Sequence, residues 1–126
     1  MIQLDYKDRR PLYEQVTGRF EELILSGVLK PDEKIPSVRS MAVELSVTPN
    51  TIQRAYSELE KAGYIYTVTG RGNFVSSGNT LHDIHRQKLI DDVRSSVMRA
   101  RAAGISSGEV IEAVELIYGG VTYDTD

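Results

Sequence analysis

The sequence predicts a mainly α-helical chain carrying one small β-hairpin, and three observations predict it. Apolar residues recur at helical spacing in five separate stretches. Two of these stretches are short and joined by a tight connection. An aromatic, β-branched run then folds back at a glycine-flanked tip. Leu, Ile, Val and Phe make up 34 of the 126 residues, above the ~20% level under which disorder becomes the default, so the chain should fold. The length suits one domain, or a domain of ~75 residues with a short appendage.

Ile2 to Leu4 reads as a short extended segment. Pro11 opens the first helix, where its missing N–H costs nothing. Leu12, Val16, Phe20, Leu23 and Ile24 supply the apolar face, and Ser26-Gly27 stops a helix over 11–26. Ile35-Pro36-Ser37 is an extended step into a hydroxyl cap. Val38, Met41, Ala42 and Leu45 then mark a second helix over 37–45. After Ser46-Val47, Thr48-Pro49 repeats the start signal, and Ile52, Ala55, Tyr56, Leu59 and Ala62 form one face of a third helix over 48–62, ended by Gly63. Two helices so closely joined have helix-turn-helix spacing. Tyr64 to Val68, a turn over 69–73 and Phe74-Val75 make the hairpin. Beyond it, Thr80 with Asp83 resembles a capping box, and Leu81, Ile84, Leu89, Val93, Val97 and Ala100 run as one stripe toward Gly104. Ser106 with Glu109 repeats the box, and Val110, Ala113, Val114 and Ile117 follow before Gly119-Gly120.

Composition excludes several classes. The chain has no cysteine, so disulfides, thiolate zinc sites and cysteine nucleophiles are absent. No signal-like apolar stretch opens the chain, and no window approaches the ~18 apolar residues of a membrane span; a soluble, cytoplasmic protein is expected. The net charge of -3 is unevenly spread. Residues 1–78 hold 10 basic and 10 acidic side chains, whereas 79–126 hold 5 and 8. With the polar cluster Ser76-Ser77-Gly78-Asn79, this suggests two segments, 1–78 and 79–126.

The element order gives a winged helix-turn-helix over 1–78, followed by a two-helix C-terminal hairpin. The polar face of the third helix begins with Thr48, Asn50, Thr51, Gln53 and Arg54, in the part of a recognition helix that meets base edges. Asn and Gln pair bidentately with adenine and Arg with guanine. Arg39 lies in the first turn of the second helix, and Arg71 at the wing tip between Gly70 and Gly72, which permit close approach to a groove. Within 37–54 and 69–75 the only charges are Arg39, Arg54, Arg71 and Glu44, a net +2 in a negative chain. A solvated helix face is the plain alternative. The coincidence of three elements favours double-stranded DNA.

Four segments in fixed order then resemble a known family: Pro11-Leu12-Tyr13-Glu14-Gln15-Val16, Ile35-Pro36-Ser37-Val38-Arg39, Val47-Thr48-Pro49-Asn50-Thr51-Ile52-Gln53-Arg54-Ala55-Tyr56, and Gly70-Arg71-Gly72-Asn73-Phe74-Val75. They look like the DNA-binding domain of GntR-type bacterial transcription regulators. The Thr-Pro-Asn-Thr stretch and short tail resemble the YtrA subfamily. The resemblance implies DNA contacts at Arg39, Thr48, Asn50, Thr51, Gln53, Gly70, Arg71 and Gly72, and dimerisation through the helical tail. Many relatives carry arginine at the positions of Pro49 and Gln53, so their base preference does not transfer. Arg54 is expected either to face a phosphate or to fold back onto the first helix as a salt bridge.

The tail is too short to enclose a core or a drug-sized cavity, so its apolar stripe should be buried against a twofold partner. Val93, Val97, Ala100, Val110, Val114 and Ile117 are the expected seam, and packing of some of them onto the winged segment is the alternative. A small-molecule effector is left open, with no residue pointing to it. His82 and His85 are expected to be surface histidines rather than metal ligands. Tyr64 and Tyr66 suit a half-buried strand. No cofactor is implied, and no nucleophile and base come with a pocket, so a non-enzyme is expected. The resulting expectation is a homodimeric repressor with 48–62 in the major groove and the wing at 69–73 on the adjacent groove. The alternative is a winged-helix protein-interaction adaptor.

Overall fold

The computed structural model describes residues 2–122; Met1 and residues 123–126, which the 1–78 and 79–126 segments include, lie outside the described residues. The elements are α1 (Leu12–Leu25), α2 (Val38–Leu45), α3 (Pro49–Lys61), β1 (Ile65–Val68), β2 (Gly72–Val75), α4 (Asn79–Ala102) and α5 (Ser107–Thr122). Two compact units result, one through Arg86 and the other from Gln87 onward.

The first unit is built around Val16, Phe20, Leu23 and Ile24 of α1, Met41 and Ala42 of α2, and Ile52, Ala55, Tyr56 and Leu59 of α3, all buried. Phe20 meets Tyr56 edge to face at 5.5 Å, the arrangement that ring quadrupoles favour. Tyr64, Ile65 and Val75 of the hairpin and Leu29 and Ile35 of the loop close this core. Gln15 is buried because it has partners: its Oε1 accepts from the Asp5 N–H at 2.8 Å, while its Nε2 donates to the carbonyls of Asp5 and Arg10. The segment before α1 is thereby tied down, although Ile2 to Leu4 form no strand.

The expected capping residues do their work at the two ends that matter most. Ser37 and Thr48 are the N-caps of α2 and α3, and each accepts from the N–H three residues on. Ser46 stands between them at φ 56°, a left-handed conformation that a non-glycine residue adopts at a cost of roughly 1 kcal/mol. β1 and β2 pair antiparallel from Ile65 opposite Val75 to Val68 opposite Gly72.

The expected boundary at 78/79 differs from the limit of the first unit because Leu81 and Ile84 pack against its core, with Ile84 Cδ1 placed 3.2 Å from where a Cβ on Gly63 would lie. At ~3.6 residues per turn, Leu81 and Ile84 leave α4 on one side, while Leu89, Val93, Val97 and Ala100 leave it on another. The single stripe read from the sequence is therefore two. Thr80 is inside α4 rather than capping it, and α5 runs through Gly119-Gly120 instead of ending there. The turn is also shorter than 69–73, since Gly72 and Asn73 already pair in β2. Among the described residues no helix is long and apolar enough to cross a membrane.

Tyr56 gives the fold an alkaline limit. Its hydroxyl donates to the Pro36 carbonyl at 2.7 Å, and burial, reinforced by the Glu44 carboxylate, pushes its pKa above the ordinary 10. The unfolded chain loses this proton first, so the contribution is complete below about pH 10 and is lost as pH rises beyond it. Tyr56→Phe should cost about 1 kcal/mol at neutral pH and should flatten the alkaline fall of the urea midpoint. An equally steep fall in the variant would assign that titration to another group.

Candidate nucleic-acid interface

Burial of Ile52, Ala55, Tyr56 and Leu59 fixes which side of α3 is left outside: Asn50, Gln53 and Arg54 are exposed. At the start of the helix the Thr48 Oγ1 accepts from the Thr51 N–H at 3.3 Å, and the two hydroxyls lie 2.9 Å apart. Thr48 is exposed and Thr51 half-buried. The Gln53 amide donates to Ser57 Oγ at 3.3 Å, leaving its carbonyl and second N–H outward. Arg39 is exposed in the first turn of α2. A groove of about 470 Å³ separates α3 from the hairpin, lined on one side by Gln53, Ser57 and Glu60 and on the other by Thr67, Thr69 and Asn73. Thr67 and Asn73 are cross-strand partners, and the Thr67 hydroxyl donates to Asn73 Oδ1 at 2.7 Å.

The wing tip is three residues, Thr69, Gly70 and Arg71, closed by the Arg71 N–H donating to the Val68 carbonyl at 2.9 Å. Arg71 is exposed and Gly70 has open space about it. Gly72 is glycine for a different reason. Its φ is +126°, and a Cβ there would stand 2.9 Å from Lys34 Cε. The Lys34 chain occupies the space that the sequence offers to a groove. Lys34 arrives through a short pairing of 33–35 beside β2, with Ile35 N–H on the Asn73 carbonyl and Val75 N–H on that of Glu33. Three residues carry no periodic signal, so this cation at the wing base was not legible.

Arg54 does fold back onto α1, but without a salt bridge there. Its guanidinium carbon lies 3.9 Å above the centroid of the Tyr13 ring. Glu58, one turn along α3, pairs with Lys61 at 3.6 Å. Neither Arg39 nor Arg71 forms an ion pair among the described residues. Tyr64 is buried, and Tyr66 stacks on Phe74 at 5.6 Å while donating its hydroxyl to Asp32, a bond that raises its pKa. That tyrosine pair belongs to the wing's own packing. No cluster of three metal-ligating side chains occurs among the described residues, His82 and His85 included.

In the second unit Val93, Val97, Ala100, Val110, Val114 and Ile117 all line one apolar groove of about 360 Å³, together with Ile105 and Ala113. The faces of α4 and α5 that line this groove are open to solvent. Val93 and Ile117 are therefore left 55% and 66% exposed, which is high for residues facing an inner surface.

The profile described as "Bacterial regulatory proteins, gntR family" matches residues 12–75, which hold all of the four resembling segments but Pro11. The chain belongs to the gntR family. It is similar to the HTH-type transcriptional repressor YtrA of Bacillus subtilis (strain 168), with 35% identity over 123 residues, 96% of this chain and 95% of that repressor. Among solved structures, a GntR family transcriptional regulator from Listeria monocytogenes superposes with a TM-score of 0.73 at 30% identity, over 89% of this chain and 97% of that one. The DNA-binding domain of AraR in complex with operator ORE1 superposes with a TM-score of 0.52 at 32% identity, over 60% of this chain and 93% of that one. This GntR chain is thus a DNA-binding transcription regulator and not an enzyme, with the mainly helical, winged architecture read from its sequence.

Proposed function

We propose that this GntR regulator acts in the cytoplasm as a homodimeric repressor. It would occupy a pseudo-palindromic operator, with α3 in the major groove and the wing on the adjacent groove. One observation carries the reading: the exposed side of α3 offers Asn50 and Gln53 from its first turns, and two exposed arginines, Arg39 and Arg71, form no ion pair among the described residues. The amide side chains have the donor and acceptor pattern that reads adenine, and the arginines suit phosphate or a narrow minor groove. The positive end of the α3 dipole favours a further phosphate. Thr48 and Thr51, tied to each other and to the backbone, serve this reading as a rigid hydroxyl pair. Gly70 serves as the open flank of Arg71. Gly72 contributes by leaving the space in which the Lys34 chain lies against the wing.

A second copy is the occupant that best suits the tail groove. Its lining is apolar and exposed, and a partner's helices would cover the groove that α4 and α5 form. Two recognition helices would then read half-sites about one helical turn apart.

Selection of bound fragments from random duplex DNA tests class, symmetry and spacing together. The expected result is an inverted repeat bound with steep salt dependence. Retention of no duplex at low salt would turn the reading toward a protein-interaction adaptor. Once an operator is in hand, Gln53→Ala should relax preference at one position per half-site by about 1–3 kcal/mol, measured by competition with single-base variants. Equal discrimination by the variant at every position would remove Gln53 from base reading.

A further inference from the structure

We propose that Tyr13 is a positioning residue for DNA binding: its ring carries the Arg54 guanidinium over its face and holds that cation ready as a phosphate clamp beside the base-reading residues of α3. This rests on the DNA-binding reading above. Tyr13 lies on α1, where it is half-buried and packed against the core, so its ring is a fixed platform. Arg54 comes from the outer side of α3, one residue beyond Gln53, and its guanidinium carbon stands 3.9 Å from the ring centroid. The ring face meets the positive charge of the guanidinium, whose five N–H donors are more than one ring can take up, so an oxyanion can meet two of them at once. Stacking also removes much of the rotamer freedom that a long side chain would otherwise lose on gripping a phosphate. Glu58, four residues along α3 from Arg54, pairs with Lys61 instead. The arrangement joins α1 to the recognition helix through one cation that carries no base information, so its effect should be uniform across sequences.

The test uses the full chain, the duplex obtained by selection and an unrelated duplex of equal length, with affinity measured by fluorescence anisotropy across a salt series. Arg54→Ala should weaken both duplexes by a similar factor, about tenfold, and make the salt dependence shallower. Tyr13→Leu should weaken both about threefold, Tyr13→Phe should match the wild type because the ring face is kept, and Tyr13→Leu should add nothing in the Arg54→Ala background. Thermal unfolding checks that each variant is folded. Tyr13→Met carries the same expectation should the leucine variant lose its fold. The proposal is overturned by wild-type affinity in Tyr13→Leu, by a Tyr13→Phe as weak as Tyr13→Leu, by a loss that persists without Arg54, or by a loss confined to the selected duplex. A wild-type protein that binds neither duplex at any salt concentration would instead overturn the DNA-binding reading itself.

Discussion

Val97→Asp is expected to convert the proposed dimer to a monomer and to lower affinity for a twofold operator by about a hundredfold. Val97 lines the apolar groove of the tail, with Val93, Val110 and Val114 around it. Twofold symmetry would place two new carboxylates in one seam. Neither would find a cationic partner among the residues lining that groove, which include Glu109 and no basic side chain. An unpaired charge buried there costs several kcal/mol, which raises a dimer's dissociation constant about a thousandfold. The second consequence follows from geometry. Once one half of a linked pair is bound, the other sees its half-site at an effective concentration near millimolar, and separation removes this gain while leaving every protein–DNA contact intact. Sedimentation at micromolar protein and titration of a full against a half operator measure the two effects. Val114→Asp should behave likewise from α5. A Val97→Asp protein that sediments as the wild type and binds the full operator equally well would show that the seam lies elsewhere.

The parts of this molecule that its sequence disclosed are those governed by local chemistry. Ser37 and Thr48 were legible as caps because a hydroxyl before a helical apolar pattern has one efficient use, and both cap in the fold. The hairpin was legible from its residue types and its glycines. What was hidden depends on partners distant in sequence. Lys34 against Gly72, Tyr66 donating to Asp32 and Arg54 over Tyr13 each join residues more than thirty positions apart. Tyr13 in particular sits among the apolar positions of α1, where an aromatic ring reads as core and its outward face goes unnoticed. The apolar pattern of α4 misled in another way: a period near helical is satisfied by residues on two faces when neither is long. Leu81 and Ile84 serve the winged core, whereas Val93 and Val97 line the tail groove. All six expected seam residues nevertheless share one groove, because spacing within each helix was read correctly even where the stripe was not.

Replacing Arg39 and Arg71 together by alanine should weaken duplex binding strongly at low salt and leave the fold unchanged. Both side chains are exposed and neither forms an ion pair among the described residues, so their loss should alter stability by no more than about 0.5 kcal/mol. The wing tip also survives, since the bond that closes it comes from the Arg71 backbone N–H and alanine keeps that donor. If each arginine neutralises one phosphate, the doubly substituted dimer loses four contacts, and the slope of log affinity against log salt should fall by about 0.9 for each. Raising salt from about 50 to 200 mM would then cost the wild type roughly a hundredfold more affinity than it costs the variant, so the two titration series should converge as salt rises. Convergence separates this effect from damage to base reading, which would persist at every salt concentration and differ between operator and unrelated duplex. A double variant whose salt dependence runs parallel to that of the wild type would place the phosphate contacts on other cations of the chain, Lys34 at the wing base first among them.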